Sequence, residues 1–192
     1  NPGMGSNSDG SVIYVQILGG ASGGNLYRFE RDTNSGSYLQ THVVDTTAVY
    51  SAGAGDTLAI IQIGSYIYVF GNNNTNIMCY RYLAADLTGE QSITVPVVAT
   101  GGNVGAWTDG VYAYVVGDGS QTTSRKWSIS GTTFSAESTA TVTTGIFANA
   151  DGVSMWDGTT AYYASRSGVT LSIRKITTID GTVYATTTKT LP

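Results

Sequence analysis

Few residues of this 192-residue chain could support acid–base or nucleophilic chemistry. His42 is the only histidine, so a Ser–His–Asp triad or a multi-histidine metal site has at most one centre to use. A paired-carboxylate glycosidase needs two acids in contrasting environments. Asp109 and Asp157 each precede a glycine, and Asp-Gly is an ordinary hairpin-turn dipeptide. The three glutamates lie near predicted turns or strand edges: Glu30, Glu90 and Glu137. We predict that these acids shape the fold and that the chain has no catalytic residue.

Two tryptophans are the candidate ligand-binding residues. Trp107 and Trp156 stand shortly before turn glycines, on strands where an indole would ordinarily pack in the core. A tryptophan at the mouth of a channel can instead stack on a sugar ring. The single loop Asp118-Gly119-Ser120 is not sufficient evidence for a calcium site, so we predict no metal and no cofactor. Cys79, the only cysteine, lies in an apolar run and is predicted to be a buried filler.

All of these residues belong to a fourfold internal repeat. Each copy has a turn glycine: Gly10, Gly64, Gly110 and Gly158. Four residues after each glycine is a tyrosine: Tyr14, Tyr68, Tyr114 and Tyr162. A basic residue follows about seventeen residues after each glycine: Arg28, Arg81, Lys126 and Lys175. A second turn glycine ends the pattern: Gly36, Gly89, Gly131 and Gly181. Either the recurring cations form a ring around the fold, or their stems pack on the next repeat; the second alternative is favoured.

The repeat predicts an all-β fold. No segment shows a sustained 3.6-residue period, and apolar runs are bounded by turn residues. Tyr66–Phe70 and Val111–Val116 are apolar on both faces, as expected for strands buried from two sides. A four-stranded repeat of about 49 residues, (158 − 10)/3, is typical of a β-propeller blade. We predict one small propeller domain over 1–192, with four blades of four antiparallel strands at about 1–50, 51–98, 99–145 and 146–192. A β-sandwich is the competing fold.

The first copy lacks an obvious innermost strand. The predicted strands are Ser11–Leu18, Asn25–Arg31, Ser37–Val44, Thr57–Ile63, Tyr66–Phe70, Ile77–Leu83, Ser92–Val98, Asn103–Thr108, Val111–Val116, Ser124–Ser130, Thr133–Val142, Val153–Trp156, Thr160–Ser165, Leu171–Thr177 and Thr182–Leu191. Residues 1–8, NPGMGSNS, contain no β-branched or aromatic residue. Three outcomes are open: residues 1–8 pair in spite of their composition, the ring stays open, or a segment outside these residues supplies the strand. We expect the third outcome.

The repeat resembles kelch-like propellers. In that pattern a hydrophobic strand ends in glycine and a tyrosine follows on the next strand, as in Leu18-Gly19-Gly20 with Tyr27. Only the first copy has the double glycine at this position, after the tyrosine-containing strand, and the tryptophan spacing of the family is not kept. The Gly/Thr/Ser/Tyr-rich composition is also similar to that of propellers in phage tail and other virion proteins. The resemblance implies a structural or receptor-binding role.

Composition restricts the possible partners. Only 11% of residues are charged and the net charge is −4, so no basic patch for nucleic acid is expected. No apolar run approaches the length of a membrane span. We predict a non-enzymatic structural or adhesive module on an extracellular or virion surface, in contact with other subunits or with the rest of a longer chain. The alternatives are a lectin-like propeller that binds a cell-surface glycan and, third, a glycoside hydrolase. Unequal loops in the four copies count against the lectin.

Overall fold

The protein is built from β-strands joined by turns, as the apolar runs and turn dipeptides of the sequence predict. The structure, a computed structural model, describes residues 3–18, 24–46, 59–72, 76–98, 104–117, 123–130, 133–141, 151–156, 161–167, 170–176 and 183–190. The strands are β1 (Gly3–Ser6), β2 (Val12–Leu18), β3 (Gly24–Arg31), β4 (Tyr38–Thr46), β5 (Ala59–Ile63), β6 (Tyr66–Asn72), β7 (Asn76–Leu83), β8 (Gln91–Val98), β9 (Val104–Thr108), β10 (Tyr112–Gly117), β11 (Thr123–Ser130), β12 (Thr133–Thr141), β13 (Asp151–Trp156), β14 (Ala161–Ser167), β15 (Thr170–Ile176) and β16 (Val183–Thr190). Each predicted strand is present, with ends shifted by about two residues or fewer.

The strands form four antiparallel units in chain order. Unit 1 is β1–β4, unit 2 is β5–β8, unit 3 is β9–β12 and unit 4 is β13–β16. Units 1 and 2 share one curled eight-stranded sheet in the order β4-β3-β2-β1-β5-β6-β7-β8. Their innermost strands are parallel neighbours, joined where Met4 pairs with Ala59. Units 3 and 4 are separate four-stranded sheets.

The innermost strands of the four units meet around a common centre. Strand β1 contacts β5, β5 contacts β9, β9 contacts β13, and β13 contacts β1. Unit 2 packs one sheet face on unit 1 and the other on unit 3. We call the contact between two successive units a seam, and number it by the units that it joins.

The ladder places the repeat landmarks at equivalent positions. The tyrosine of each unit lies directly across the ladder from the basic residue of that unit. The four pairs are Tyr14–Arg28, Tyr68–Arg81, Tyr114–Lys126 and Tyr162–Lys175. The pairing of the third and fourth strands shifts register just after the basic residue in units 1, 3 and 4, as at a β-bulge. The recurring spacing between the tyrosine and the basic residue therefore reflects a shared register. In every unit, the second and third strands pair in the same way.

The core consists of the seams. One buried cluster joins units 1 and 2, and includes Tyr14, Leu26, Ile60, Ile67, Val69, Tyr80 and Tyr82. A second joins units 2 and 3, and includes Ile61, Tyr68, Phe70, Ile77, Cys79, Ala113, Val115, Trp127 and Phe134. Successive residues of β6 alternate between the two clusters, because side chains alternate across a strand. This alternation explains why Tyr66–Phe70 is apolar at nearly every position.

The expectation that a segment outside these residues supplies the innermost strand of unit 1 is wrong. Gly3–Ser6 forms that strand and pairs with β2 from Gly3↔Gln16 to Ser6↔Ile13. The reason is steric. Gly5 is buried against unit 2, and a Cβ atom on it would collide with the backbone carbonyl oxygen of Ile60. Glycine, a poor strand former by propensity, is favoured here because two backbones approach closely.

The close approach at Gly5 makes a testable prediction. Gly5→Ala should lower the free energy of unfolding by about 1–3 kcal/mol, since backbone rather than a flexible side chain must move to admit the methyl group. Urea denaturation followed by tryptophan fluorescence measures the change. Ser8→Ala, at an exposed position of the same segment, is the control and should be nearly neutral. Equal stability of the two variants would contradict the placement of β1.

Candidate functional site

The turn glycines lie between the first and second strands of their units. Gly10, Gly64 and Gly110 have φ values of 69°, 57° and 86°, in the left-handed region that glycine adopts without strain. Gly158 lies outside the described residues. The turns between the third and fourth strands emerge at the same end of the sheets, since alternate hairpins of an antiparallel unit share an end. We call this end the turn face.

The aspartates of the turn face are hydrogen-bond acceptors that hold the turns. Asp109 Oδ1 accepts bonds from the backbone N–H groups of Val111 (3.0 Å) and Tyr112 (2.8 Å), and Asp109 Oδ2 accepts one from the Tyr114 hydroxyl (3.0 Å). Asp9, Asp32 and Asp86 each accept a backbone N–H two residues ahead. Side-chain hydrogen bonds from Ser11, Ser35 and Thr88, respectively, are the main reason that the pKa of each of these three carboxyls lies below its usual value.

The structure describes the side chain of one of the two candidate tryptophans. Trp107 is almost fully buried and stacks on Tyr114, with ring centroids 5.9 Å apart and an interplanar angle of 1°. Such a position fits the core-packing alternative and leaves the indole no open face for a sugar. Trp156 is the last residue of β13, and its side chain lies outside the described part of the molecule. Its role in ligand binding stays a prediction.

The histidine and the cysteine have different surroundings. His42 is half-buried on β4, directly across the ladder from Arg28. After the hydrogen bonds from Thr88, His42 also contributes to the lowered pKa of the Asp86 carboxyl. Cys79 is fully buried among apolar residues of the seam between units 2 and 3. Burial raises the pKa of the Cys79 thiol well above its ordinary value, because the thiolate would be desolvated. The interpretation of Cys79 as a filler of the core is thereby confirmed.

The recurring basic residues are partly buried and engaged by neighbouring side chains. Arg81 lies over the ring of Tyr66, with its guanidinium carbon 4.3 Å from the ring centroid. Lys126 lies over Tyr112 in the same way, at 3.8 Å. Arg28 instead forms an ion pair with Glu30, and donates a 2.8 Å hydrogen bond to Thr41. The charged groups of Arg28, Arg81 and Lys126 therefore interact within their own units. This arrangement fits the favoured alternative, in which the aliphatic parts of these side chains pack, better than an open ring of cations.

A polar cleft of about 380 Å³ opens on the turn face at the seam between units 1 and 2. Its unit 1 wall includes Asn7, Tyr14 and Arg28, and its unit 2 wall includes Gln62 and the Ala84–Ala85 turn. Polar atoms of three kinds, guanidinium, carboxamide and phenol, thus converge on one space. The Nε atom of Arg28 is buried and has no hydrogen-bond partner in the described part of the chain. A smaller cavity of about 250 Å³, lined by Ser6 and Ser8, adjoins the cleft and shares Gln62 with it.

The cleft exists because one position of the repeat has a smaller residue in unit 1. Two residues after the turn glycine, units 2 and 3 have Tyr66 and Tyr112, whose rings cover the basic heads of their units. Unit 1 has Val12 there, and Val12 lines the cleft. Valine leaves open the space beside Arg28 that a phenol ring takes in the next two units.

Tyr14 links the two walls of the cleft. Its hydroxyl lies 2.9 Å from Gln62 Oε1 and 3.3 Å from the Ala84 carbonyl oxygen, both of which are acceptors. Gln62 is oriented in turn by a 3.1 Å hydrogen bond that its Nε2 donates to the Gly64 carbonyl. Burial raises the pKa of the Tyr14 phenol, and the positive charge of Arg28 opposes that rise. The phenol is therefore a neutral donor at neutral pH.

Sequence reasoning identified Tyr14 and Arg28 as repeat landmarks but missed the cleft between them and unit 2. Asn7 and Gln62 belong to no repeated pattern, so no spacing marked them. The available signal was the departure of Val12 from the tyrosine found in units 2 and 3. Within the ranges that the structure describes, no group of three or more His, Cys, Asp or Glu side chains is arranged to hold a metal ion. Those same ranges contain no helix with the length and apolar character needed to cross a bilayer.

Comparisons with known proteins identify the fold alone. No protein-family model and no curated protein sequence matches the chain. Among solved structures, it is similar to a protein from Bacteroides fragilis assigned as a 6-phosphogluconolactonase, with 12% identity and a TM-score of 0.50 over 99% of this chain and 71% of that one. It is also similar to a triple arginine-to-alanine mutant of AofleA from Arthrobotrys oligospora, with 10% identity and a TM-score of 0.54 over 96% of this chain and 56% of that one. The similarity shows a propeller-like all-β fold.

The hydroxyl of Tyr14 should contribute measurably to stability. Tyr14→Phe removes a hydrogen bond between units 1 and 2, and we expect a loss of about 1 kcal/mol in the free energy of unfolding. Tyr14→Ala would add a cavity in the seam and should cost about 3 kcal/mol or more. Chemical denaturation of the three proteins checks the order. A Tyr14→Ala variant no less stable than Tyr14→Phe would be inconsistent with this packing.

The turn aspartates predict how stability depends on pH. The folded-state pKa values of Asp9, Asp32 and Asp86 lie below the unfolded value of about 3.9, so folding favours their ionised forms. Their stabilisation is present above about pH 5 and is lost as the pH falls through the lowered folded pKa values. The midpoint of urea unfolding should fall between pH 5 and pH 2.5. Combined Asp9→Asn, Asp32→Asn and Asp86→Asn replacements keep an acceptor oxygen in each turn and should make this fall shallower. An unchanged slope would exclude these carboxyls as its source.

Proposed function

We propose that the chain is a four-bladed β-propeller, in which units 1 to 4 are the blades, and that it serves as a non-catalytic structural or adhesive module of an extracellular or virion assembly. Two features of the fold support the four-bladed form. The innermost strands contact one another in cyclic order, and unit 2 buries both of its sheet faces against its neighbours. A sandwich would instead bury one face of each sheet and leave the other to solvent.

The use of the carboxyl groups carries the proposal of a non-catalytic role. Asp9 is exposed, Asp32 and Asp86 are partly exposed, and all three are hydrogen-bonded to their own turns and stabilised in the ionised form. A general acid requires the opposite, a carboxyl whose pKa is raised toward the working pH. Asp109 is occupied by two backbone N–H groups and a phenol. The use of these four acids by the scaffold supports a role in binding rather than in catalysis.

The proposal is tested by searching for turnover. We expect no hydrolysis when the purified chain is incubated with panels of chromogenic glycosides, phosphate esters, carboxyl esters and lactones. Asp109→Asn and Glu90→Gln are the diagnostic variants, since each removes an ionisable carboxyl with little change in shape. Turnover by the parent protein that either substitution abolishes would overturn the non-catalytic role.

The cleft between blades 1 and 2 favours a second candidate function, the binding of a polyhydroxylated ligand such as a glycan. Its walls offer donors and acceptors of several kinds, with Val12 and Ala84 as apolar surface beside them. A volume of about 380 Å³ falls in the range of small-molecule sites, about 300–1,000 Å³. Sugars are recognised by this combination of several hydrogen bonds with a small apolar contact.

A glycan array distinguishes this candidate from a purely structural role. Any glycan that binds should be tested again with Val12→Tyr, which fills the cleft in the manner of Tyr66 and Tyr112 without removing a polar wall residue. We expect at least a tenfold loss of affinity, equivalent to about 1.4 kcal/mol. Val111→Tyr, at an exposed turn position of blade 3, is the matched control and should bind normally. Binding that survives Val12→Tyr would place the site elsewhere.

A further inference from the structure

One position near the end of each innermost strand recurs at the same register in all four units. It lies directly across the ladder from the residue three places after the turn glycine. The residues at this position in units 1 to 4 are Ser6, Gln62, Thr108 and Trp156. Because the innermost strands contact one another in cyclic order, the four positions lie around the common centre at the turn face. We call this region the axial mouth. The sequence prediction of Trp156 as a ligand-binding residue thus falls on the same level as Ser6 and Gln62.

The cavity of about 250 Å³ lies at the axial mouth and is bounded by three units. Its lining residues are Ser6, Ser8, Gln62, Gly64 and Gly110. Thr108 is buried, and its hydroxyl donates to the Tyr112 carbonyl (2.7 Å) and accepts from the Gly110 N–H (2.9 Å), so it serves its own turn. Among the described residues that line the cavity, none is charged. Hydroxyl and carboxamide groups beside glycine backbone suit the uncharged hydroxyls of a sugar.

Gln62 joins the axial mouth to the cleft between units 1 and 2. It lines both spaces, as does Gly64. Its Oε1 atom lies 2.9 Å from the Tyr14 hydroxyl, and its Nε2 atom donates a 3.1 Å hydrogen bond to the Gly64 carbonyl. A carboxamide oxygen can accept two hydrogen bonds and the amide nitrogen can donate two. Gln62 therefore keeps one acceptor and one donor position for a ligand, on a side chain that the protein already holds in place.

We propose that one extended saccharide occupies the cleft and the axial mouth together, and crosses Gln62 between them. The ligand class is then an oligosaccharide of at least two rings, with one ring in the cleft beside Arg28 and another at the mouth. At about 250 Å³ the mouth is smaller than a typical separate small-molecule site, about 300–1,000 Å³, so it is better explained as an extension of the cleft. The inference rests on the glycan binding proposed for the cleft, and adds the length and the path of the ligand.

Titration with homologous saccharides tests the inference. Glucose, N-acetylglucosamine, galactose and mannose series, each from the single sugar to the hexamer, are titrated into the full chain by isothermal titration calorimetry. Within a series that binds, affinity should rise at least tenfold from the single sugar to the trimer, because the second contact becomes intramolecular. Ser8→Tyr places a ring in the axial mouth from an exposed turn position. It should remove this gain and leave single-sugar binding unchanged, whereas Val12→Tyr should weaken both.

Ser37→Tyr is the matched control. Ser37 is an exposed serine on the turn face of unit 1 that lines neither space, so this variant should keep the gain. Circular dichroism verifies folding, and Ser6→Val, which suits a strand and removes a hydroxyl from the mouth, replaces Ser8→Tyr if the latter does not fold.

Two kinds of failure are distinguishable. Equal affinity for single sugars and trimers overturns the inference and leaves glycan binding in the cleft intact. The same holds for a gain that survives the substitution in the mouth, or that Ser37→Tyr removes equally. Absence of binding by every series overturns both the inference and the glycan-binding candidate.

Discussion

The packing of sheet faces on each other is the interaction on which the rest of this structure depends. A four-stranded sheet of about forty residues has too little surface of its own to form a core, so each unit is stable only with a neighbour on its face. This requirement explains the apolar character of successive residues in Tyr66–Phe70, the burial of Trp107 and the low share of charged residues.

The sequence predicted strands β2 to β16 well, but it did not predict the innermost strand β1. The difference has a physical cause. Strand signals such as alternation, β-branched residues and turn dipeptides are local, and they located β2 through β16. Gly3–Ser6 has none of these signals, because its strand is selected by the close approach of the Ile60 backbone. The cleft was missed for a related reason. It depends on Val12 being smaller than the residues at the same position in units 2 and 3, which matters only once Arg28 and Gln62 are known to lie nearby.

Repetition with local variation gives the four units different surfaces on one backbone. Each tyrosine–cation pair keeps its register, while the groups that contact the cation differ: an aromatic ring for Arg81 and Lys126, and the Glu30 carboxylate for Arg28. A single replacement at the position of Val12 could open or close a cleft without disturbing the ladder. Function can therefore diverge from seam to seam while the packing that requires the repeat is retained.

The buried thiol of Cys79 is an intrinsic probe of transient separation between units 2 and 3. Its thiol lies in the seam between units 2 and 3 and is the only sulfhydryl in the sequence. A disulfide reagent in solution can reach it only when that seam separates or the whole domain unfolds. The rate of thiol exchange, compared with the rate in urea, would therefore measure how often the two sheets part under native conditions.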